Sequence, residues 1–90
     1  PRQAVIASRT WLFGELTVLG FSVLPSAANF IFARHNTRAA EAIFTALRQR
    51  KIIVRHFKEA RIDAYLRISI GTQAECQALV NALRDILAKP

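Results

Sequence analysis

The chain has 90 residues, of which 52% are apolar, and this length suits a single domain. Ten of its 13 Lys and Arg residues are arginine, against 6 Asp and Glu residues. This bias suggests recognition of anions (nucleic acid, phosphorylated metabolites or carboxylates), while composition alone favours a basic, solvated surface.

Polar residues and Pro25 interrupt the apolar stretch between Trp11 and Ala33, which excludes a membrane span. A single cysteine excludes an intrachain disulfide.

The first predicted element is a helix over residues 3–19 that is apolar on more than one side. A helix of this kind is buried on several sides, and 90 residues are too few to surround it. We therefore expect a further domain to cover it. The chain begins at Pro1 and contains no Met, which also favours a piece of a longer chain. The apolar residues form three groups: Val5, Leu12, Leu16 and Leu19, then Ile6 and Phe13, then Trp11 and Val18.

Two strands are predicted next. Gly20 ends the helix, and residues 21–24 form a short strand that a turn at Pro25 and Ser26 separates from the next one. The second strand, over residues 29–34, has apolar residues on both faces and is expected to be covered on both. Its two aromatic residues, Phe30 and Phe32, are interpreted as core.

A helix and two further strands continue the pattern. Thr37 is the predicted N-cap of a helix over residues 38–50. Strands are predicted over 52–57 and 65–70, with a polar loop between them. Alternation along the last strand places Leu66, Ile68 and Ile70 on one face and Tyr65, Arg67 and Ser69 on the other.

The last predicted element is a helix over residues 73–88. Gly71 breaks the preceding strand, and Thr72 with Glu75 forms a capping box of the T-x-x-E type. The resulting order, α-β-β-α-β-β-α, predicts a two-layer α+β fold over residues 1–90, with a mixed sheet and the helices packed on one face.

Arg67 is the most informative candidate for a site. It lies in the middle of a strand and faces away from the helical layer, so a domain covering that face would bury its charge and require an anion. Arg55 alternates onto the face that it shares with Ile53 and is expected near Arg67. Each arginine also has an interpretation without an anion. Arg67 could lie on an exposed edge strand, and Arg55 could be a solvated residue at the end of a strand.

The remaining reactive side chains do not form a complete active site. His35 and His56 have no paired nucleophile in sequence and are interpreted as surface residues. Cys76 lies on the apolar stripe of the last helix and is expected to be an inert buried thiol. No ligand spacing for a metal and no glycine-rich phosphate loop is visible. No secretory signal is visible either, so a cytoplasmic protein is expected.

Several segments, taken together, resemble a known family. They are PSAANFIFAR, RKIIVRHF, RIDAYLRISIGT and QAECQALVNALRDIL. Their order resembles the C-terminal part of histidinol-phosphate aminotransferases, which are pyridoxal-phosphate-dependent aminotransferases of fold type I and class I/II. The resemblance covers nearly the whole chain. One departure is Lys51, at a position where relatives often have glycine before the strand.

The resemblance implies roles for three residues. Arg67 matches the arginine that binds the α-carboxylate of the amino-acid substrate, and Arg55 matches the arginine associated with the substrate phosphate. Asn29 matches an asparagine near the domain junction and is expected to be structural. No residue of this chain is expected to be catalytic.

The resemblance also implies the activity and the partners of the parent enzyme. That enzyme would transfer an amino group between histidinol phosphate and 2-oxoglutarate in histidine biosynthesis, as a homodimer, without nucleic acid or membrane. The large domain of the same chain would bind pyridoxal phosphate, since none of the lysines Lys51, Lys58 and Lys89 lies in a suitable setting. The alternatives are an aromatic aminotransferase or a threonine-phosphate decarboxylase of the same fold, or a free-standing basic module that binds RNA or other anions.

Overall fold

The computed structural model describes residues 2–24 and 29–90. Its elements follow the predicted α-β-β-α-β-β-α order. The turn predicted at Pro25 and Ser26 lies outside the described residues. The elements are α1 (Arg2–Val18), β1 (Phe21–Leu24), β2 (Phe30–His35), α2 (Ala40–Gln49), β3 (Arg55–His56), β4 (Leu66–Ser69) and α3 (Gln73–Ala88).

The sheet has the strand order β1-β2-β4-β3, and all of its described pairings are antiparallel. The prediction of a mixed sheet is therefore wrong. Strands β2 and β3 do run in the same direction, and strands in this arrangement need a crossover connection, which contains α2 here. They are not neighbours, however, because β4 lies between them and pairs antiparallel with both.

The core lies between one face of the sheet and the three helices, as the two-layer α+β prediction requires. Alternate residues of β2 and β4 supply the sheet side of this core, and the residues between them point to the opposite face. The helices supply the other side. Fully buried members include Leu12, Leu16, Ile31, Ile43, Leu47, Leu66, Val80 and Leu83.

The first helix keeps apolar side chains at the surface. Ile6 and Phe13 are each 42% exposed and Val18 is 83% exposed, while Trp11 is half-buried. The predicted apolar surface along this helix is thus confirmed. Among the described residues, no helix is long and apolar enough to cross a membrane.

The start of α2 differs from the prediction. The helix begins at Ala40 with Ala39 as its N-cap, so the prediction that Thr37 caps it is wrong. The backbone turns instead around His35, whose Nδ1 accepts the N–H groups of Thr37 and Arg38 at 3.2 and 3.1 Å. Its Nε2 lies 2.9 Å from the Leu19 carbonyl, which assigns the proton to that nitrogen. This half-buried histidine therefore organises a loop, contrary to its interpretation as a surface residue.

The start of α3 is as predicted. The Thr72 hydroxyl accepts the Glu75 N–H at 3.1 Å, and the Glu75 carboxylate accepts the Thr72 N–H at 2.8 Å. Replacing Thr72 with alanine is expected to lower the free energy of unfolding by about 1 kcal/mol, because an orphan helix N–H loses its acceptor. Thr37→Ala is the matched control and should change it by less than about 0.5 kcal/mol. Urea titration measures both, and equal losses would contradict the assignment of the cap.

The end of α2 explains why the third strand does not begin at residue 52. The Lys51 N–H donates to the Arg48 carbonyl at 2.9 Å and the Ile52 N–H donates to the Leu47 carbonyl at 3.0 Å. These two bonds form a Schellman motif. Because the Ile52 N–H is used in this motif, it is not free to pair in the sheet, and the strand does not begin at residue 52 as predicted. Arg55 and His56 are the residues of the predicted strand that join the sheet.

Lys51 occupies the left-handed position of that motif, with φ at 63°. A side chain in this conformation is unfavourable by about 1–2 kcal/mol, whereas glycine adopts it freely. Lys51→Gly is therefore expected to raise the free energy of unfolding by about 1 kcal/mol. Lys51→Ala removes the same charge but keeps the strained backbone, so it should not raise stability. Urea midpoints that rise equally for both variants would show that charge, and not backbone conformation, is responsible.

Candidate functional site

The candidate site lies on the sheet face opposite the helices, which we call the open face. Its members are Phe30, Phe32, Arg55, Phe57 and Arg67. Antiparallel register places Arg67 directly between Phe32 on β2 and Arg55 on β3. Directly opposed residues share a face of the sheet. The prediction that Arg55 and Arg67 project from the same face is therefore confirmed.

Arg67 lies between two aromatic rings. Its Cζ atom is 5.2 Å from the centroid of Phe30 and 5.3 Å from that of Phe57. Both distances are within the range of a cation–π interaction. The side chain is half-buried, and its Nε atom is buried without a hydrogen-bond partner among the described residues. A buried donor without an acceptor carries a free-energy cost.

Arg55 is the exposed member of the pair. Its Cζ atom lies 5.4 Å from the centroid of Phe57, so one ring contacts both guanidinium groups. Like charges directly opposite each other destabilise a sheet. An anion bound between them would offset that repulsion, and guanidinium groups bind carboxylate and phosphate through paired hydrogen bonds. The open face is thus chemically suited to hold a carboxylate or a phosphate.

Sequence reasoning missed the aromatic part of this site. The interpretation of Phe30 and Phe32 as core is wrong, because both are half-buried on the open face, with their rings edge-on and 5.8 Å apart. Phe57 is not among the predicted site residues. The signal was present in the spacing of Arg55 and Phe57, because residues two apart in an extended segment project to the same side.

Asn29 is exposed at the edge of β2. Its carbonyl accepts the Ile70 N–H at 2.7 Å, which extends the contact between β2 and β4 beyond the paired strands. This backbone contact gives the residue a structural position. Its predicted place at a domain junction stays a prediction.

A cavity of about 650 Å³ lies between the start of α2 and the loop after β3. Two of its basic side chains already have partners within the chain. Arg38 donates to the Leu87 carbonyl at 3.0 Å, and Lys58 pairs with Glu41 at 3.6 Å. Arg34, which shares the face of Phe30 and Phe32 by alternation along β2, lines this cavity, but Arg55 and Arg67 do not. We therefore place the candidate site at the paired arginines on the sheet.

The other candidate side chains do not add to the site. Cys76 is buried and free, and burial raises the pKa of its thiol, which keeps it protonated and unreactive at neutral pH. His56 lies with Nε2 2.7 Å from the Asp63 carbonyl. Residues 2–24 and 29–90 contain no group of three or more metal-ligating side chains.

The lysines do not fit a site that binds pyridoxal phosphate covalently. All three, Lys51, Lys58 and Lys89, are exposed to solvent. A lysine that forms a Schiff base typically lies in a buried pocket or next to another cationic group.

Comparison with known proteins shows the family. A family model described as aminotransferase class I and II matches residues 1–83. The chain belongs to this family. The aminotransferase fold is also shared with solved structures: histidinol-phosphate aminotransferase from Sinorhizobium meliloti, in complex with pyridoxal 5'-phosphate, superimposes with a TM-score of 0.86 at 28% identity. That match covers 96% of this chain and 24% of that one.

Two similar aminotransferase sequences are also informative. Histidinol-phosphate aminotransferase 2 of Dechloromonas aromatica is 61% identical over 93% of this chain, and histidinol-phosphate aminotransferase 1 of Bordetella parapertussis is 54% identical over 97% of it. The chain spans 24% of the length of each of these relatives. The family assignment therefore concerns one part of an aminotransferase.

Proposed function

We propose that this chain is the C-terminal small domain of a pyridoxal-phosphate-dependent histidinol-phosphate aminotransferase, in which it binds the anionic groups of the substrates. The observation that carries the proposal is the pairing of Arg55 and Arg67 on the open face. The Nε atom of Arg67 is buried there without a partner among the described residues. Relatives named histidinol-phosphate aminotransferase, at 54% and 61% identity, support the choice of substrate.

The proposed placement as a small domain has its own support. The relatives are about four times as long as this chain, since it spans 24% of each. The apolar surface of α1, with Val18 83% exposed, is suited to contact with another part of such a chain. The segments quoted above resemble the C-terminal part of the family.

In the proposed reaction, an amino group passes between histidinol phosphate and 2-oxoglutarate. Pyridoxal phosphate, held by the remainder of the parent chain, supplies the electron sink for this chemistry. The exposed lysines of the present chain do not fit its covalent attachment. The contribution of this domain is to bind and orient the substrates, which lowers the entropic part of the barrier.

The two arginines have different proposed roles. Arg67, half-buried between two rings, would bind the α-carboxylate of glutamate through its planar fork. Arg55, which is more exposed, would bind the phosphate of histidinol phosphate. Histidinol phosphate has no α-carboxylate, so the same face must accept a phosphate in one half-reaction and a carboxylate in the other. Two adjacent guanidinium groups meet both demands.

A comparison of substrates tests the proposal. The full-length enzyme that carries this chain is expected to convert histidinol phosphate and 2-oxoglutarate to glutamate with a higher kcat/KM than it shows for phenylalanine, tyrosine or histidinol. A preference for the aromatic amino acids would indicate an aromatic aminotransferase. Carbon dioxide release from threonine phosphate would indicate a decarboxylase. Either result would contradict the proposed substrate.

A homodimeric parent and a cytoplasmic location stay predictions. Sedimentation of the full-length enzyme tests the first, and a localisation experiment tests the second.

A further inference from the structure

We propose that Phe57 is a positioning residue, whose ring holds the guanidinium groups of Arg55 and Arg67 in place on the open face for the substrate anions that each of them binds. This inference rests on the proposed function and adds to it a residue that touches neither cofactor nor substrate. The observation behind it is that a single ring contacts both guanidinium groups, at 5.4 Å and 5.3 Å from their Cζ atoms.

The backbone explains why this ring reaches both arginines. Phe57 follows Arg55 by two residues, so the two side chains project to the same side. Continuing the register of β3 and β4 places Phe57 diagonally across from Arg67. Diagonal neighbours in an antiparallel pair are within reach of aromatic and long side chains.

The electrostatics explain why a ring is needed. Arg55 and Arg67 are directly opposed cations, and repulsion favours conformations that separate them. The negative face of an aromatic ring attracts a guanidinium group. A ring that attracts both groups opposes their separation. It also restricts the exposed side chain of Arg55 before an anion binds, so that less conformational entropy is lost on binding.

Two other phenylalanines provide matched controls. Phe30 contacts Arg67, at 5.2 Å, and its cation–π contact is with that arginine alone among the described residues. Phe44 is half-buried against the core and lies 6.1 Å from His56, on the helical side of the sheet. Loss of the Phe30 ring tests the effect of removing a cation–π contact from Arg67 alone. Loss of the Phe44 ring tests the effect of general destabilisation.

The experiment compares Phe57→Leu, Phe30→Leu and Phe44→Leu in the full-length enzyme, with steady-state kinetics for glutamate and for histidinol phosphate. Phe57→Leu is expected to raise KM for both substrates about two- to fivefold with little change in kcat. This factor is the change in affinity that corresponds to the free energy of a cation–π contact at an exposed site. Phe30→Leu should raise KM mainly for glutamate. Phe44→Leu should lower thermal stability and leave both KM values near those of the wild type. Phe57→Tyr keeps the ring and should restore wild-type kinetics.

A double-mutant cycle separates positioning from structure. In an Arg55→Ala background, Phe57→Leu should have a much smaller effect on KM for histidinol phosphate, because the group that it positions is gone. An effect of the same size with and without Arg55, or an unchanged KM in Phe57→Leu, would overturn the inference while the proposed function stands. If Arg55→Ala and Arg67→Lys leave both substrates unaffected, the proposed function and this inference both fail.

Discussion

Arg67→Lys in the full-length enzyme is expected to lower kcat/KM for glutamate by about tenfold to a hundredfold. Lysine keeps the positive charge but removes the planar fork that holds a carboxylate through two parallel hydrogen bonds. One hydrogen bond to a charged group contributes about 1.5–3 kcal/mol, and each 1.36 kcal/mol corresponds to a factor of ten in rate. The position of Arg67 between the rings of Phe30 and Phe57 makes the loss larger, because a guanidinium plane stacks on a ring as an ammonium group does not.

A second arginine serves as the control for this result. Arg48 is exposed at the end of α2, in the helical layer and away from the open face. Arg48→Lys should leave kcat/KM for glutamate within about twofold of the wild type, since a surface substitution of this kind changes stability by less than about 0.5 kcal/mol. If Arg67→Lys leaves kcat/KM for glutamate unchanged, Arg67 does not bind the carboxylate through its planar fork.

Arg55→Ala is expected to distinguish substrates by their phosphate. It should lower kcat/KM for histidinol phosphate by about tenfold or more and should lower kcat/KM for histidinol much less. The reason is that only the phosphorylated substrate presents the matching anion. If the contact is equally strong in the ground state and the transition state, the loss appears in KM. Since Arg55 is exposed, the difference between wild type and variant should also diminish as the salt concentration rises.

The comparison of the two substrates provides its own control. Misfolding would reduce both rates by the same factor, whereas loss of a phosphate contact affects one of them. Thermal unfolding of the variant checks separately that the domain is intact. If Arg55→Ala reduces the phosphorylated and the unphosphorylated substrate equally, Arg55 does not bind the phosphate and is better described as a solvated residue at the end of a strand.

The sequence by itself determined the local features of this protein. The capping box at Thr72 and Glu75 was predictable because its hydrogen bonds join residues three apart. The direction of Arg67, away from the helices, was predictable because side chains alternate along a strand. The departure at Lys51, noted from the resemblance to relatives with glycine, coincides with a left-handed backbone position. Each of these depends on a short stretch of chain.

Only the tertiary structure decided how these stretches meet. The insertion of β4 between β2 and β3 made the described sheet antiparallel, and the register then set Arg55 opposite Arg67. The same assembly placed Phe57 against both guanidinium groups and placed Phe30 on the open face instead of in the core. Hydrophobic alternation has a period of two residues within one strand, so it defines which face a residue occupies. It does not define which strand lies beside it, because strand order and register depend on contacts between residues far apart in the chain.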